Sequence, residues 1–240
     1  MCYHLSTNRT QKELEKRFEA KFVKPNLFSP LYYANGFEAP KVPVITNDQP
    51  DKIQMLTWGL IPGWVKNEEQ AKDIRFKTLN ARAESIFSKP SYRSAIKNKR
   101  CLVLTDGFYD WRLYGGKKYP YYVYLKSKEP FAFAGIWEQW MNPQTNRSIK
   151  TFSIITAKAN SFVAKIHNVK KRMPVILDKS EERSWLEDLQ EAEVNSLLDP
   201  YPATKMQAHP VSKLITAKGV KRNVPGIFKE FKYENLPKVK

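Results

Sequence analysis

The chain has 240 residues, 42% of them hydrophobic and 13% aromatic, enough for the core of one domain and too apolar for a disordered chain. No run approaches the roughly 18 consecutive apolar residues of a membrane helix, and no apolar signal segment opens the sequence. Forty-one Lys and Arg against 24 Asp and Glu leave a net charge of +17, which suits a polyanionic partner such as nucleic acid. The two cysteines are Cys2 and Cys101. Cys101 lies in the apolar run Cys101-Leu102-Val103-Leu104 and reads as a buried, reduced core residue, so a cytoplasmic location is expected.

Met1-Cys2 places a thiol directly after the initiator methionine. Removal of Met1 would leave a free α-amine and a thiol on adjacent carbons, titrating near pH 8 and about 8.5 respectively. Such an aminothiol condenses with an aldehyde, the amine forming a Schiff base and the thiolate then closing a five-membered thiazolidine. An internal cysteine cannot do this, because its nitrogen is an amide. Thr10-Gln11-Lys12-Glu13 then reads as a capping box opening a short helix, with Leu14 and Phe18 on the buried side. Cys2 is therefore expected on an extended lead-in.

A Pro-, Asn- and Gly-containing loop over 25–43 reaches a strand at Val42–Thr46. Trp58-Gly59-Leu60-Ile61-Pro62-Gly63-Trp64 suits a strand running into a rigid turn that presents an aromatic and a proline; core anchoring is the alternative for at least one Trp. In Asn80-Ala81-Arg82, an extended backbone would put the amide and the guanidinium on one face, which a helix would not. Residues 91–100 read as a helix with Tyr92 and Ile96 inward and Arg93, Lys97, Lys99 and Arg100 outward. From Cys101 the period shifts towards two, with a hairpin at Gly115-Gly116 and strands over 119–125, 131–137 and 151–156. A short helix over 157–166 leads to His167, and residues 178–198 read as one acidic helix with Trp185 and Leu189 inward. Strands separated by turns, without long helices between them, predict an α+β domain with an antiparallel, barrel-like core and peripheral helices. After Ala203, nine Lys or Arg face two Glu, giving a basic C-terminal segment over 203–240.

Aldehyde capture needs proton transfer. His167, at a helix–strand junction beside Asn168 and basic residues, suits acid–base work. Asp110, flanked by Phe108, Tyr109 and Trp111, reads either as a proton-shuttling carboxylate or as a turn cap. Cys2, His4, Asp110 and His167 match no structural zinc spacing, and neither a metal nor another cofactor is expected.

Several segments together resemble the SOS response-associated peptidase (SRAP) family of abasic-site processing proteins. They are Met1-Cys2, Trp58–Pro62, Asn80-Ala81-Arg82-Ala83-Glu84, Arg100-Cys101-Leu102, Gly107-Phe108-Tyr109-Asp110-Trp111, Phe133–Trp137, and His167 with Arg172-Met173-Pro174. They occur in the family's order over residues 1–177, with His209-Pro210-Val211-Ser212 as a further landmark. The resemblance implies one SRAP-like domain over 1–240 that binds single-stranded DNA as a monomer. It also implies a thiazolidine crosslink between Cys2 and the ring-opened sugar of an abasic site, with autoproteolytic loss of Met1 and lyase activity as associated chemistry. Catalytic roles then fall to Cys2, Asn80, Asp110 and His167. DNA contacts fall to Trp58 and Pro62, as a stacking element, and to Arg82, Lys170, Lys171 and Arg172.

Three features depart from the family pattern. Tyr3-His4 stands where the family has Gly-Arg, so His4 is left as a weaker phosphate contact or a proton relay. Asp110 replaces a Glu and reaches one methylene less far. Asn168-Val169-Lys170-Lys171 lengthens the loop between His167 and Arg172. Two other functions fit the residues: a non-enzymatic single-strand-binding protein, for which Cys2 is dispensable, and a cysteine hydrolase acting on peptides.

Overall fold

A computed structural model of the chain describes residues 2–217 and 219–239. Met1, whose removal the aminothiol chemistry requires, lies outside them. From the N-terminus run β1 (His4–Thr7), α1 (Gln11–Phe18), β2 (Lys21–Phe22), β3 (Leu31–Asn35), β4 (Lys41–Thr46) and β5 (Gln49–Trp58). Next come α2 (Glu68–Lys77), β6 (Asn80–Arg82), α3 (Ala95–Asn98), β7 (Arg100–Thr105), β8 (Gly107–Tyr114), β9 (Lys117–Leu125), β10 (Phe131–Met141) and β11 (Ser148–Lys158). The chain continues through α4 (Val163–Ile166), β12 (Arg172–Pro174), α5 (Glu182–Leu186), α6 (Glu191–Ser196) and β13 (Met206–Pro210). No helix among the described residues is long and apolar enough to cross a membrane.

The fold is α+β around a barrel. Strands β11, β10, β7, β4 and β5 are neighbours in that order, and β5 returns to pair with β11, Trp58 opposite Phe152, which closes the ring. Successive residues of β10 serve two cores: Ala132, Ala134 and Ile136 pack into one, Phe131, Phe133 and Trp137 into the other. With both faces buried, the strand reads as a continuous apolar run. At Asp106 the chain leaves the barrel and enters a second sheet of order β13-β9-β8-β1-β3. Pairing is antiparallel apart from β2–β5, β5–β11 and β6–β11.

Local signals hold where a side chain caps or turns the backbone. Thr10 and Glu13 form the reciprocal capping box, and Leu14 and Phe18 are buried. Gly115 and Gly116 have φ of +54° and +71°, as a two-residue hairpin turn demands. The expected helices are shorter. Of residues 91–100 only Ala95–Asn98 is α-helical, although Tyr92 and Ile96 do point inward. Arg100 is buried rather than outward, because its guanidinium donates to the carbonyls of Ile96 (2.9 Å), Lys97 (2.7 Å), Trp185 and Glu187. Strand β11 runs on to Lys158, leaving a single helical turn at α4. The helix expected over 178–198 is two, since α5 ends at Leu186 and Gln190 opens a new capping box with Glu193. Burial of Glu182 against the Arg17 fork, at 2.9 Å on both nitrogens, fixes α5 to α1.

The corner between the sheets tolerates no side chain. A Cβ on Gly107 would come within 2.3 Å of the Tyr122 ring, whose hydroxyl is fixed by Ser6 at 2.9 Å. Gly107→Ala is expected to lower stability by about 1–3 kcal/mol. Urea titration checks this, and an unchanged midpoint would show that Tyr122 yields freely.

Candidate functional site

The lead-in to β1 is held from both sides. Leu5 pairs with Ala34 on β3 and with Phe108 on β8, and the Tyr3 carbonyl accepts from Gly36 N–H at 2.8 Å. Cys2 is thereby fully buried, in the cluster that holds Leu5, Trp58, Leu79 and Phe108. Its Sγ lies 3.7 Å from the His4 carbonyl. Burial, and then the negative charge of Asp110, push the thiol up to about 12.

Asp110 sits on β8 two residues beyond Phe108, the register partner of Leu5, and so beside this lead-in. Its Oδ1 accepts from Trp111 N–H at 2.8 Å. Oδ2 lies 3.1 Å from His167 Nδ1, but that nitrogen faces the Arg172 carbonyl at 2.8 Å. Oδ2 is therefore buried without a well-formed hydrogen bond among the described residues. His167 follows α4, and Asn168 ties the loop after it to β8 through both backbone groups of Leu113, at 3.0 and 2.8 Å. Lys170 and Lys171 are exposed on this loop. Tyr3, His4, Asp110, Trp111, His167 and Lys170 line a cleft of about 380 Å³, with Lys118 also on its wall.

A second groove, of about 620 Å³, carries Asn80, Arg82 and Trp64. Strand β6 is held extended by parallel pairing with β11, so Asn80 and Arg82 do share a face. Asn80 is buried, and neither atom of its side-chain amide has a hydrogen-bond partner among the described residues. An amide left so at the floor of a groove is a ready donor and acceptor for a bound group. Arg82 is exposed and forms no salt bridge among the described residues, and its charge acts on the Tyr3 hydroxyl. Tyr3, which lines the first cleft, thus also feels the charge of Arg82 in the second.

A family model described as SOS response associated peptidase (SRAP) matches residues 1–218. The chain belongs to the SRAP family. It is 40% identical over 222 residues to Abasic site processing protein YoaM of Bacillus subtilis, covering 90% of this chain and 93% of that one. To Abasic site processing protein YoqW of the same organism it is 38% identical over 201 residues, covering 82% and 85%. The crystal structure of a protein from Bacteroides thetaiotaomicron superposes with a TM-score of 0.90 at 38% identity, over 96% of this chain and 100% of that one.

Within this SRAP scaffold several expected DNA contacts need correction. Trp58 is fully buried, stacked on Phe152, with its Nε1 donating to Leu79 O at 2.9 Å; Pro62 is buried as well. Neither can stack on a base. The exposed aromatic of that turn is Trp64, 56% accessible, whereas the resemblance put the stacking role on Trp58. Arg172 is engaged by Glu84 through both terminal nitrogens and by the Thr156 carbonyl, so it braces β12 instead of facing a phosphate. His4 stacks on Tyr33 at 5.2 Å, abuts Trp111 at 4.8 Å and shares a 2.8 Å hydrogen bond with the Tyr33 hydroxyl. Burial, and then Arg222, press His4 down to about 4, so it is a neutral ring and no cation for phosphate.

The direction of that shift has a consequence for stability. Above pH 6.5 the imidazole is neutral in both folded and unfolded chains. As pH falls towards 4 the unfolded chain takes up the proton first, and stability is lost. NMR should find His4 uncharged down to about pH 5, and His4→Gln should flatten the stability profile between pH 6.5 and 4. Titration of His4 near 6.5 would contradict this packing.

Proposed function

We propose that this SRAP chain captures abasic sites in single-stranded DNA through covalent attachment at Cys2. The observation that carries the reading is a fully buried Cys2 on the lead-in to a doubly paired strand, beside an Asp110–His167 pair at a cleft. A structural cysteine needs no carboxylate near it, and here the charge of Asp110 disfavours the thiolate. With Met1 gone, the new α-amine on Cys2 would sit close to Asp110 Oδ2, which is buried without a well-formed hydrogen bond among the described residues.

The chemistry then follows in order. The neutral α-amine adds to the C1′ aldehyde of the opened sugar, and loss of water leaves a Schiff base. The thiol sulfur adds to the same carbon and the imine nitrogen gains a proton, so ring closure amounts to a net transfer of the thiol proton to nitrogen. Burial and the charge of Asp110 disfavour the thiolate, so that proton must be carried during the step; Asp110 and His167 serve this role, His167 also assisting sugar opening. Before the ring closes, the Schiff base allows β-elimination, the route to a lyase side reaction. Asn80 would hold the sugar oxygen or the N-terminal residue.

Arg82, Lys170 and Lys171 would grip phosphates, and Trp64 would take the stacking role that Trp58 and Pro62 cannot. Abasic-site processing is the activity in the names of YoaM and YoqW, and the +17 charge favours sequence-independent, salt-sensitive binding.

Intact-mass spectrometry before and after incubation with a single-stranded oligonucleotide carrying one abasic site tests the proposal. The free protein should lack one methionine residue, and a heat-stable adduct should form that Cys2→Ala abolishes. Asp110→Asn and His167→Ala should slow adduct formation by roughly 10²–10⁴-fold. Retained Met1 with no adduct would return the protein to the non-covalent binders, an adduct indifferent to Cys2 would overturn capture at Cys2, and turnover of a peptide would favour a hydrolase. Trp64→Ala should weaken binding to undamaged single strands by about 1–3 kcal/mol, measured by fluorescence anisotropy.

A further inference from the structure

The family match ends at residue 218, yet residues 219–239 pack back onto the sheet that contains β1. Val224, Ile227 and Phe228 cover Tyr33, Tyr109 and Tyr122, which lie on β3, β8 and β9. Glu230 bridges to Val211, His209 Nε2 meets the Phe228 carbonyl at 2.6 Å, and the Tyr233 hydroxyl donates to Val211 O at 2.7 Å. At the other edge of the sheet, Asn223 Oδ1 accepts from the backbone N–H groups of Tyr32 (2.7 Å) and Tyr33 (3.3 Å). The segment is a strap fastened at both ends of the sheet.

Its fastening at β3 fixes one charged residue. Arg222, next to Asn223, lies over the Tyr33 ring at 5.6 Å. Tyr33 is hydrogen-bonded to His4, and His4 lines the Asp110–His167 cleft. One side chain, Tyr33, therefore stands between the guanidinium and His4 on the wall of the cleft. Among the described residues Arg222 forms a salt bridge with Glu38 at 3.5 Å, the side chains being 30% and 61% accessible. Asn35 holds Glu38 in place at 3.0 Å. A long ion pair with an exposed carboxylate contributes little, while the arginine fork suits a phosphate diester better than it suits a distant carboxylate.

We propose that Arg222 binds a backbone phosphate of the single strand next to the captured site, exchanging Glu38 for the phosphate. The strap is then part of the DNA-binding surface: it extends the basic track past His4, where the neutral imidazole supplies no charge. The inference rests on single-stranded DNA being the ligand, but not on covalent capture.

The experiment measures binding of the full-length protein to an undamaged single-stranded oligonucleotide across a salt series, alongside crosslinking to an abasic one. Arg222→Gln should weaken binding roughly fivefold at low salt and reduce the slope of log affinity against log salt by about 0.7, the signature of one lost phosphate contact. Arg222→Lys should keep the slope, and Glu38→Gln should tighten binding. Thermal midpoints of the three variants should stay near that of the parent. A slope unchanged in Arg222→Gln overturns the proposal, whether affinity is kept or lost, since a loss without a slope change marks a merely structural strap. A parent protein that shows these effects but forms no adduct would remove the capture reading and leave the phosphate contact standing.

Discussion

The pairing of β1 on both edges is the constraint on which the rest of the molecule depends. Terminal residues fray unless something ties them down, and here Leu5 is tied on one side to Ala34 and on the other to Phe108. Two ladders and the Tyr3–Gly36 bond bring Cys2 to complete burial. Burial raises the thiol, and Asp110 raises it further. A group in that state is protected from adventitious oxidation and alkylation, which act on the thiolate.

The barrel and the loops around it hold the residues of the two clefts in place. Parallel pairing with β11 keeps Asn80-Ala81-Arg82 extended, and the Asn168 clamp on Leu113 holds the loop after His167 against β8. The amide of Asn168 takes the place of backbone pairing at the base of that loop. The loop carries Lys170 and Lys171 outward. Trp58 has a quieter role. Its indole packs against Gly36, whose N–H holds the Tyr3 carbonyl, so the tryptophan supports the lead-in to β1 from beneath.

Charge is distributed with similar economy. Arginines that look equivalent along the chain do different work: Arg100 caps carbonyls in the interior, Arg172 braces Glu84, and Arg82 stands in a groove. Glu182 and Arg17 show the same principle from the acidic side, since the carboxylate is buried only because a bidentate partner is buried with it. Counting basic residues therefore measured the attraction for a polyanion without locating the surface that receives it.

Much of this was legible in the sequence, because it rests on local chemistry. The capping box at Thr10, the hairpin at Gly115-Gly116, the strand-rich centre and the aminothiol potential of Cys2 each depend on neighbouring residues, whose constraints act at short range. The ordered SRAP motifs added the candidate site. Tertiary structure decided the remainder, because burial and pairing are properties of distant contacts. Two tryptophans six residues apart are alike in sequence, but one closes the barrel against Phe152 while the other faces solvent. A histidine two residues from Cys2 reads as a possible cation until Tyr33 and Trp111 enclose it. A basic tail looks like a solvated segment until Asn223 fastens it to the edge of β3.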